Sequence, residues 1–277
     1  MNLANLVGRW VDTAGDAFGF KNAGGMPRYC STPYLYQIAE GNIPGHYAWS
    51  KMGYNASVDS AAPEDLWAVG GTFTFPPSPI QLEVVSDSGN DTAAGTGIQQ
   101  VQITYLDTTY VERTEIVTLN GATEVPTAAT NILRINNFRA YRVGTGKVAA
   151  GNVDIRETDD SPVYSRIGTG MTRARNAAYT VPLGKTLYIT SARFSSTGAA
   201  ENKDTVFTVR ASYDDRREAV IDFMMPIIEV GMSDAATQLD YEFPIKLPAK
   251  VDMRVIATAG NNTSICTSVL RGWMEDE

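Results

Sequence analysis

The stretch TGIQQVQITYLD, residues 96–107, decides the fold class of this 277-residue chain, together with TEIVTLNG, residues 114–121. Apolar and polar residues alternate from Val101 to Tyr105, so a strand here has one apolar face and one polar face. Asn120-Gly121 adds a strong turn signal at the end of the second segment. The two segments therefore predict a β-hairpin.

Short segments of the same kind recur along the chain, separated by clusters of Gly, Pro and Asn. They include residues 68–75 and 80–86 before the hairpin, and residues 207–213 and 251–257 after it. No long helical periodicity interrupts them between residues 40 and 156. This pattern predicts a mainly β chain with two antiparallel β-sandwich domains of jelly-roll type.

The segment Tyr241–Pro248 alternates apolar residues with charged residues and two prolines. Each proline removes a hydrogen-bond donor from a strand ladder, so two of them do not fit a central strand. We therefore expect an edge strand or an irregular strand at this place.

The polar segment ETDDSP, residues 157–162, marks the expected domain boundary, because strand alternation restarts after it. We predict one β-sandwich domain over residues 40–157 and a second over residues 162–277. Residues 1–39 precede them as an extended arm. Four of its residues have the spacing of a short amphipathic helix that contacts either a neighbouring subunit or its own domain: Leu3, Leu6, Val7 and Trp10.

Composition limits the classes of partner. The formal net charge of -8, from 23 basic and 31 acidic residues, argues against a nucleic-acid partner, which requires a basic surface. No apolar run reaches membrane-spanning length and the N-terminus has no signal-peptide pattern, so we expect no membrane partner and synthesis in a cytoplasm. Cys30 and Cys266 lie far apart and are expected to be free thiols.

The sequence predicts no catalytic site, no cofactor and no metal site. His46 is the only histidine, and no Gly-x-Ser-x-Gly motif surrounds a serine. Carboxylate pairs such as Glu112 and Glu115 lie within single segments, which gives no indication that two acids face one cleft. Residues 87–91, DSGND, offer oxygen atoms to a calcium ion, yet the same residue types are typical of a tight turn, which we favour.

Aromatic residues cluster near the start of the first predicted domain. Tyr47, Trp49 and Tyr54 form a candidate glycan platform, because aromatic faces stack on apolar ligand surfaces. Rings of this kind are more often found in a core or at a subunit interface. Both interpretations stay open from the sequence alone.

The pattern Gly-Thr-Gly-Ile-x-x-Val-x-Ile-x-Tyr-Leu-Asp followed by Thr-Leu-Asn-Gly resembles a segment of uncharacterised virion structural proteins of tailed bacteriophages. The resemblance covers roughly residues 43–156. It implies a non-enzymatic virion component, synthesised in the host cytoplasm, that serves as a capsid decoration (cement) protein or is attached to the tail. Its partners would be other virion proteins and copies of itself, in a homo-oligomer such as a trimer.

A second hypothesis makes the chain a tail-fibre or spike module that binds a glycan of the host surface. For the homo-oligomer, an apolar run around Pro226 is a candidate contact, with a position in the core as the alternative: Met224, Met225, Ile227 and Ile228.

Overall fold

A computed structural model of the chain describes residues 34–198, 204–213, 220–232, 236–260 and 264–277. Of these residues, 58% lie in strands and 3% in helices, and the sheets are antiparallel. The chain is therefore mainly β, as its alternation predicts. The predicted arm contact lies outside the described residues: Leu3, Leu6, Val7 and Trp10.

Helix α1 spans Tyr34–Ala39 and belongs, with the other described residues before Trp49, to a compact unit separate from Trp49–Glu277. The strands of the described part are β1 (His46–Val58), β2 (Glu64–Asp65), β3 (Glu83–Ser86), β4 (Ile98–Leu106), β5 (Glu112–Thr118), β6 (Val125–Pro126), β7 (Arg134–Val143), β8 (Val153–Arg156), β9 (Val163–Ile167), β10 (Tyr179–Thr180), β11 (Lys185–Gly198), β12 (Thr205–Tyr213), β13 (Val220–Met232), β14 (Ala236–Leu247), β15 (Asp252–Ala259) and β16 (Ser264–Asp276).

The predicted hairpin is confirmed. Strands β4 and β5 pair antiparallel, with Val101 opposite Val117 and Tyr105 opposite Arg113. Val101 and Ile103 are fully buried, as the alternation requires. Strand β7 pairs with the other edge of β4, which completes a sheet of order β5-β4-β7, named sheet I.

Sheet II has the order β6-β3-β8-β9 and shares one hydrophobic cluster with sheet I. Sheet I contributes Ile103 and Phe138 to this cluster, and sheet II contributes Ile155 and Tyr164. We name the cluster the hairpin core.

Two longer sheets share a second cluster, the large core. Sheet III has the order β1-β16-β11-β14, and sheet IV has the order β10-β15-β12-β13, with β2 beside β15. Phe194 of sheet III stacks on Phe207 of sheet IV with ring centroids 5.1 Å apart. The predicted strands at 207–213 and 251–257 are confirmed in β12 and β15, whose alternate residues are buried in this core.

The predicted domain boundary at 157–162 lies in the loop between β8 and β9. These two strands pair with each other, Ile155 opposite Ser165, and both contribute to the hairpin core. Strand β1, from the first predicted domain, lies beside β16 of the second in sheet III. The sheets therefore do not follow a division at 157–162, and a separation of the chain into two domains stays a prediction.

Residues 68–75 do not form a strand, contrary to their alternation. Gly70 and Gly71 have positive φ angles of 80° and 66°, which turn the chain out of an extended course. Trp67 and Phe73 instead pack edge-on with ring centroids 5.2 Å apart. Of the predicted segment 80–86, only the part from Glu83 onward forms a strand, β3.

Strand β14 is an edge strand of sheet III, as its prolines predict. Its register against β11 shifts between Ile189 and Ser191, and residues 241–244 have no partner in β11. Phe243, in this irregular segment, is 81% exposed. Of the apolar run in β13, Ile228 lies in the large core and Ile227 packs against it, while Met224 and Met225 are partly buried.

Candidate functional site

A cleft of about 270 Å³ lies within the unit Trp49–Glu277, where β1, β7 and the segment 173–179 approach one another. A concave site with a few convergent polar groups is the first place to expect a ligand. The polar and aromatic side chains that line it come from segments distant in sequence: Trp49, Ser50, Lys51, Thr104, Glu112, Asn136, Asn137, Phe138, Ser165, Arg173, Asn176 and Tyr179.

Lys51 brings an ammonium group to the cleft from β1. Its Nζ donates a hydrogen bond to the main-chain oxygen of Asn136 at 2.5 Å and lies 5.6 Å from the ring centroid of Tyr179. Burial lowers the pKa of Lys51 to about 7, and the charge of Arg173 acts in the same direction. Among the described residues, no carboxylate lies within ion-pair distance of Lys51. Within the described part of the chain, the ammonium form of Lys51 is thus desolvated and has no carboxylate partner.

Asn136 fixes the strand that carries one wall of the cleft. Its Nδ2 donates to the main-chain oxygen of Thr180 at 2.8 Å, and its Oδ1 accepts from the main-chain nitrogen of Thr180 at 2.9 Å. Both ends of this buried amide are therefore satisfied. The two bonds link β7 to β10. They also fix the position of the Asn136 main-chain oxygen, which accepts the hydrogen bond from Lys51.

Glu112 reaches the cleft from the first position of β5, directly after a loop that Asp107 organises. The Asp107 carboxylate accepts hydrogen bonds from Thr109 Oγ1 at 2.7 Å, Val111 N at 3.1 Å and Arg113 Nε at 3.1 Å. These bonds, that of Thr109 above all, lower the pKa of Asp107 to about 2. The loop therefore depends on an ionised carboxylate.

Replacing Asp107 by asparagine is expected to destabilise the fold by about 1–2 kcal/mol at pH 7, because the bonds to Oδ1 then have a neutral acceptor and the bond from Arg113 to Oδ2 is lost. The pKa of Asp107 is lower in the folded chain than in the unfolded one. Its contribution to stability is therefore complete above about pH 4 and is lost as the pH falls toward 2. Urea unfolding of wild type and variant should show a difference that shrinks from pH 7 to pH 3. A difference independent of pH would contradict this account.

The three rings of the predicted glycan platform differ in their surroundings. Trp49 is only 8% exposed and packs edge-on against Tyr179, with ring centroids 5.2 Å apart. The guanidinium of Arg175 covers the Tyr54 ring, 3.8 Å from its centroid. Tyr47 is 47% exposed. Trp49 and Tyr54 thus present no shared open surface, and sugar binding by these rings stays a prediction.

Sequence reasoning missed Lys51, Asn136 and Arg173. Lys51 carried a usable signal, because it follows Trp49 by two residues and a strand places such residues on one face. A charge on the face of a buried tryptophan is uncommon and marks a position worth testing. Asn136 and Arg173 carried no comparable signal.

The segment 87–91 forms a turn, as the sequence favours: the main-chain nitrogen of Asp91 donates to Ser88 O at 3.1 Å. The Asp91 carboxylate is fully buried, and four donors already occupy its oxygen atoms. They are Ile98 N at 2.6 Å, Ala150 N at 3.0 Å, Gly151 N at 2.9 Å and Ser86 Oγ at 2.7 Å.

Other acidic groups are also engaged within the described residues. The carboxylates of Glu83, Glu124 and Asp160 lie within 4.8 Å of one another, and each forms an ion pair with Arg156, at 2.8 Å, 3.1 Å and 2.6 Å. Glu115 accepts from the main-chain nitrogen of Ala128 at 2.6 Å.

The histidine and the described cysteine have ordinary structural surroundings. His46 Nδ1 lies 3.0 Å from the main-chain oxygen of Pro44, and its ring packs edge-on against Tyr34. Cys266 is a free thiol in the large core, and burial raises its pKa to about 11. A thiol in that state is a poor nucleophile. Cys30 lies outside the described residues.

No protein-family model matches this chain, and no curated protein does. Among solved structures, the chain is similar to the structure of infectious bursal disease virus, Gx strain, with 8% sequence identity and a TM-score of 0.20. That match covers 88% of this chain and 78% of the viral chain. A similarity of this strength carries no argument about function. Within the described residues, no helix combines the length and the apolar character needed to span a membrane.

Proposed function

We propose that the chain is a non-enzymatic structural component of a tailed-phage virion, either a capsid decoration (cement) protein or a tail-attached protein. The strand order of sheets III and IV is the observation that carries this proposal. These two sheets contain eight strands besides β2, namely β1 and β10 to β16, which we number one to eight in chain order. Sheet III then has the strand order 1-8-3-6, and sheet IV has the strand order 2-7-4-5. A jelly roll, an architecture typical of viral capsid domains, has the same strand order, and this agreement supports the proposal.

The remaining strands support the same interpretation. Strands β3 to β9 form sheets I and II, which have their own core, and they enter the chain between the first and second strands of the proposed jelly roll. Each pair of sheets shares one core, as the two faces of a sandwich do. We therefore propose a jelly roll that carries a second sandwich as an insertion.

A homo-oligomer such as a trimer, bound to other virion proteins, is part of the proposal. Phe243 supports it, because aromatic residues are enriched at subunit interfaces and 81% of this side chain is exposed. The register shift and Pro244 disfavour the addition of a further strand at this edge. Contact through side chains is therefore the expected mode of association.

The proposal is tested by electron cryomicroscopy of phage particles made with and without the gene for this chain. We expect additional density, repeated around a symmetry axis of the capsid or tail, only in particles that contain the protein. Complementation with Phe243→Asp should weaken that density. Ile116→Asp, which places the same charge on an exposed residue of β5, should restore it fully. Identical particles with and without the gene would refute a virion role.

Glycan binding is the second candidate function, and the cleft beside Lys51 favours it. Lectin domains are also built as jelly rolls, and they combine polar groups with aromatic rings at a concave site. The cleft has this combination, with the rings of Trp49 and Tyr179 beside the amides of Asn137 and Asn176. A glycan array probed with the full chain would detect such binding.

A further inference from the structure

The cleft contains two cations that lack a carboxylate partner among the described residues, Lys51 and Arg173. Lys51 is held in place by its bond to the Asn136 carbonyl, and Arg173 is exposed. A buried ammonium is usually paired, because its desolvation is costly. A ligand that supplies a negative charge at this point would remove that cost.

The other groups of the cleft indicate what carries the charge. The side-chain amide of Asn137 makes no hydrogen bond to another described residue and is open to a ligand. The rings of Trp49 and Tyr179 add apolar surface. Cations, a free amide and aromatic rings together match a molecule with a carboxylate, hydroxyl groups and an apolar face. A volume of about 270 Å³ admits one small unit of this kind.

We propose that this cleft binds an acidic sugar unit of the uronic-acid type, with its carboxylate between Lys51 and Arg173 and a hydroxyl group on Asn137. The inference rests on the glycan-binding candidate and gives it a site and a sugar class. The inference does not depend on the virion role, because a structural protein of a particle fulfils that role whether or not it binds a sugar.

A pH dependence follows from the groups that face Lys51. The titratable residues that line the cleft are Lys51, Glu112, Arg173 and Tyr179. Burial raises the pKa of Glu112, with the charge of Lys185 opposing it. Lys51 loses its proton near pH 7, so an anion that needs the ammonium form binds best below this pH and weakens above it.

Isothermal titration calorimetry of the full chain with D-glucuronate tests the proposal, with D-glucose and inorganic phosphate as comparison ligands. We expect D-glucuronate to bind at least about tenfold more tightly than either, since charged and neutral contacts both contribute. Lys51→Met should weaken binding by about tenfold or more. Lys246→Met, the same substitution at an exposed residue of β14, should have no effect. Arg173→Gln should also weaken binding and, at an exposed position, should leave the fold intact.

Binding of D-glucuronate that falls in both cleft variants, and that weakens from pH 6 to pH 8, supports the proposal. Absence of D-glucuronate binding to the wild-type chain overturns it. Equal binding of phosphate and D-glucuronate overturns the assignment to a sugar. Glycan-array binding that is unchanged in Arg173→Gln would overturn this site while glycan binding itself stands.

Discussion

Replacement of Asp91 by asparagine is expected to lower the free energy of unfolding by about 3 kcal/mol or more, a large fraction of the stability of an ordinary domain. The Asp91 carboxylate is fully buried and accepts hydrogen bonds at both oxygen atoms. An asparagine side chain keeps the shape but presents an NH₂ group to donors at one of these positions. Those donors then lose their acceptor inside the protein, at a cost of about 1–3 kcal/mol for each group.

The neighbourhood of Asp91 leaves little room for adjustment. Its Oδ1 accepts a hydrogen bond from Ile98 N, where β4 begins, and its Oδ2 accepts one from Gly151 N, just before β8. Gly97 approaches Oδ1 so closely that a Cβ atom at this position would overlap it. One carboxylate therefore joins the start of sheet I to the start of a strand of sheet II.

Urea unfolding of wild type and Asp91→Asn measures the effect. Asp159→Asn is the matched control, because Asp159 is exposed in the loop between β8 and β9, and its stability should lie within about 0.5 kcal/mol of wild type. Calcium is expected to leave the wild-type unfolding midpoint unchanged, since donors already occupy the Asp91 oxygens. Equal stabilities of the two variants, or stabilisation by calcium, would show that the carboxylate has another role.

Local patterns predicted the strands well, because alternation and turn signals are properties of short segments. The hairpin of β4 and β5 combines both signals and forms as expected. In the segment 68–75 the local pattern predicts the wrong structure, because two glycines with positive φ outweigh the alternation of its side chains. Propensity alone does not reveal which of these two tendencies prevails.

Pairing between distant strands was beyond the sequence. Strand β1 lies beside β16, at the other end of the chain, and no local feature of either strand indicates which strand it pairs with. The polar segment 157–162 has the composition of a domain linker, yet a hairpin loop has the same composition because both are exposed. Only the pairing of β8 with β9 distinguishes the two cases.

The candidate site depends on this same non-local pairing. Trp49 was singled out from the sequence for its ring, but the cleft around it forms only when β7 and the segment 173–179 come beside β1. A single sequence carries no signal for such an encounter. The lowered pKa of Lys51 has the same origin, since burial between these segments is what lowers it.

Replacement of Arg134 by lysine is expected to lower the free energy of unfolding by about 2–3 kcal/mol, although the charge is conserved. The Arg134 guanidinium binds both carboxylate oxygens of Asp252, at 2.9 Å and 2.8 Å. It also donates to the main-chain oxygens of Pro76 and Leu133, at 3.1 Å and 2.9 Å, and lies over the ring of Phe75. A lysine ammonium is a single point and does not reproduce this fork of donors.

The position of this pair makes the loss large. Only 13% of the Arg134 side chain and 15% of the Asp252 side chain are exposed, so an unpaired partner would stay buried. Arg134 lies in β7 of sheet I and Asp252 in β15 of sheet IV, so the pair joins the two groups of sheets. Its loss should weaken the attachment of one core to the other.

A double-mutant cycle of Arg134→Lys and Asp252→Asn, measured by urea unfolding, determines the coupling between the two side chains. We expect a coupling energy of about 1–3 kcal/mol, since the residues are in direct contact. Arg139→Lys is the matched control on the same strand, because the side chain of Arg139 is exposed and its Nε donates one bond, to Gln102 at 2.8 Å. Its effect should stay within about 0.5 kcal/mol. If Arg134→Lys has as small an effect as this control, the bidentate pair does not hold the two groups of sheets together. The two bonds between the side-chain amide of Asn136 and the main chain of Thr180 carry that attachment instead.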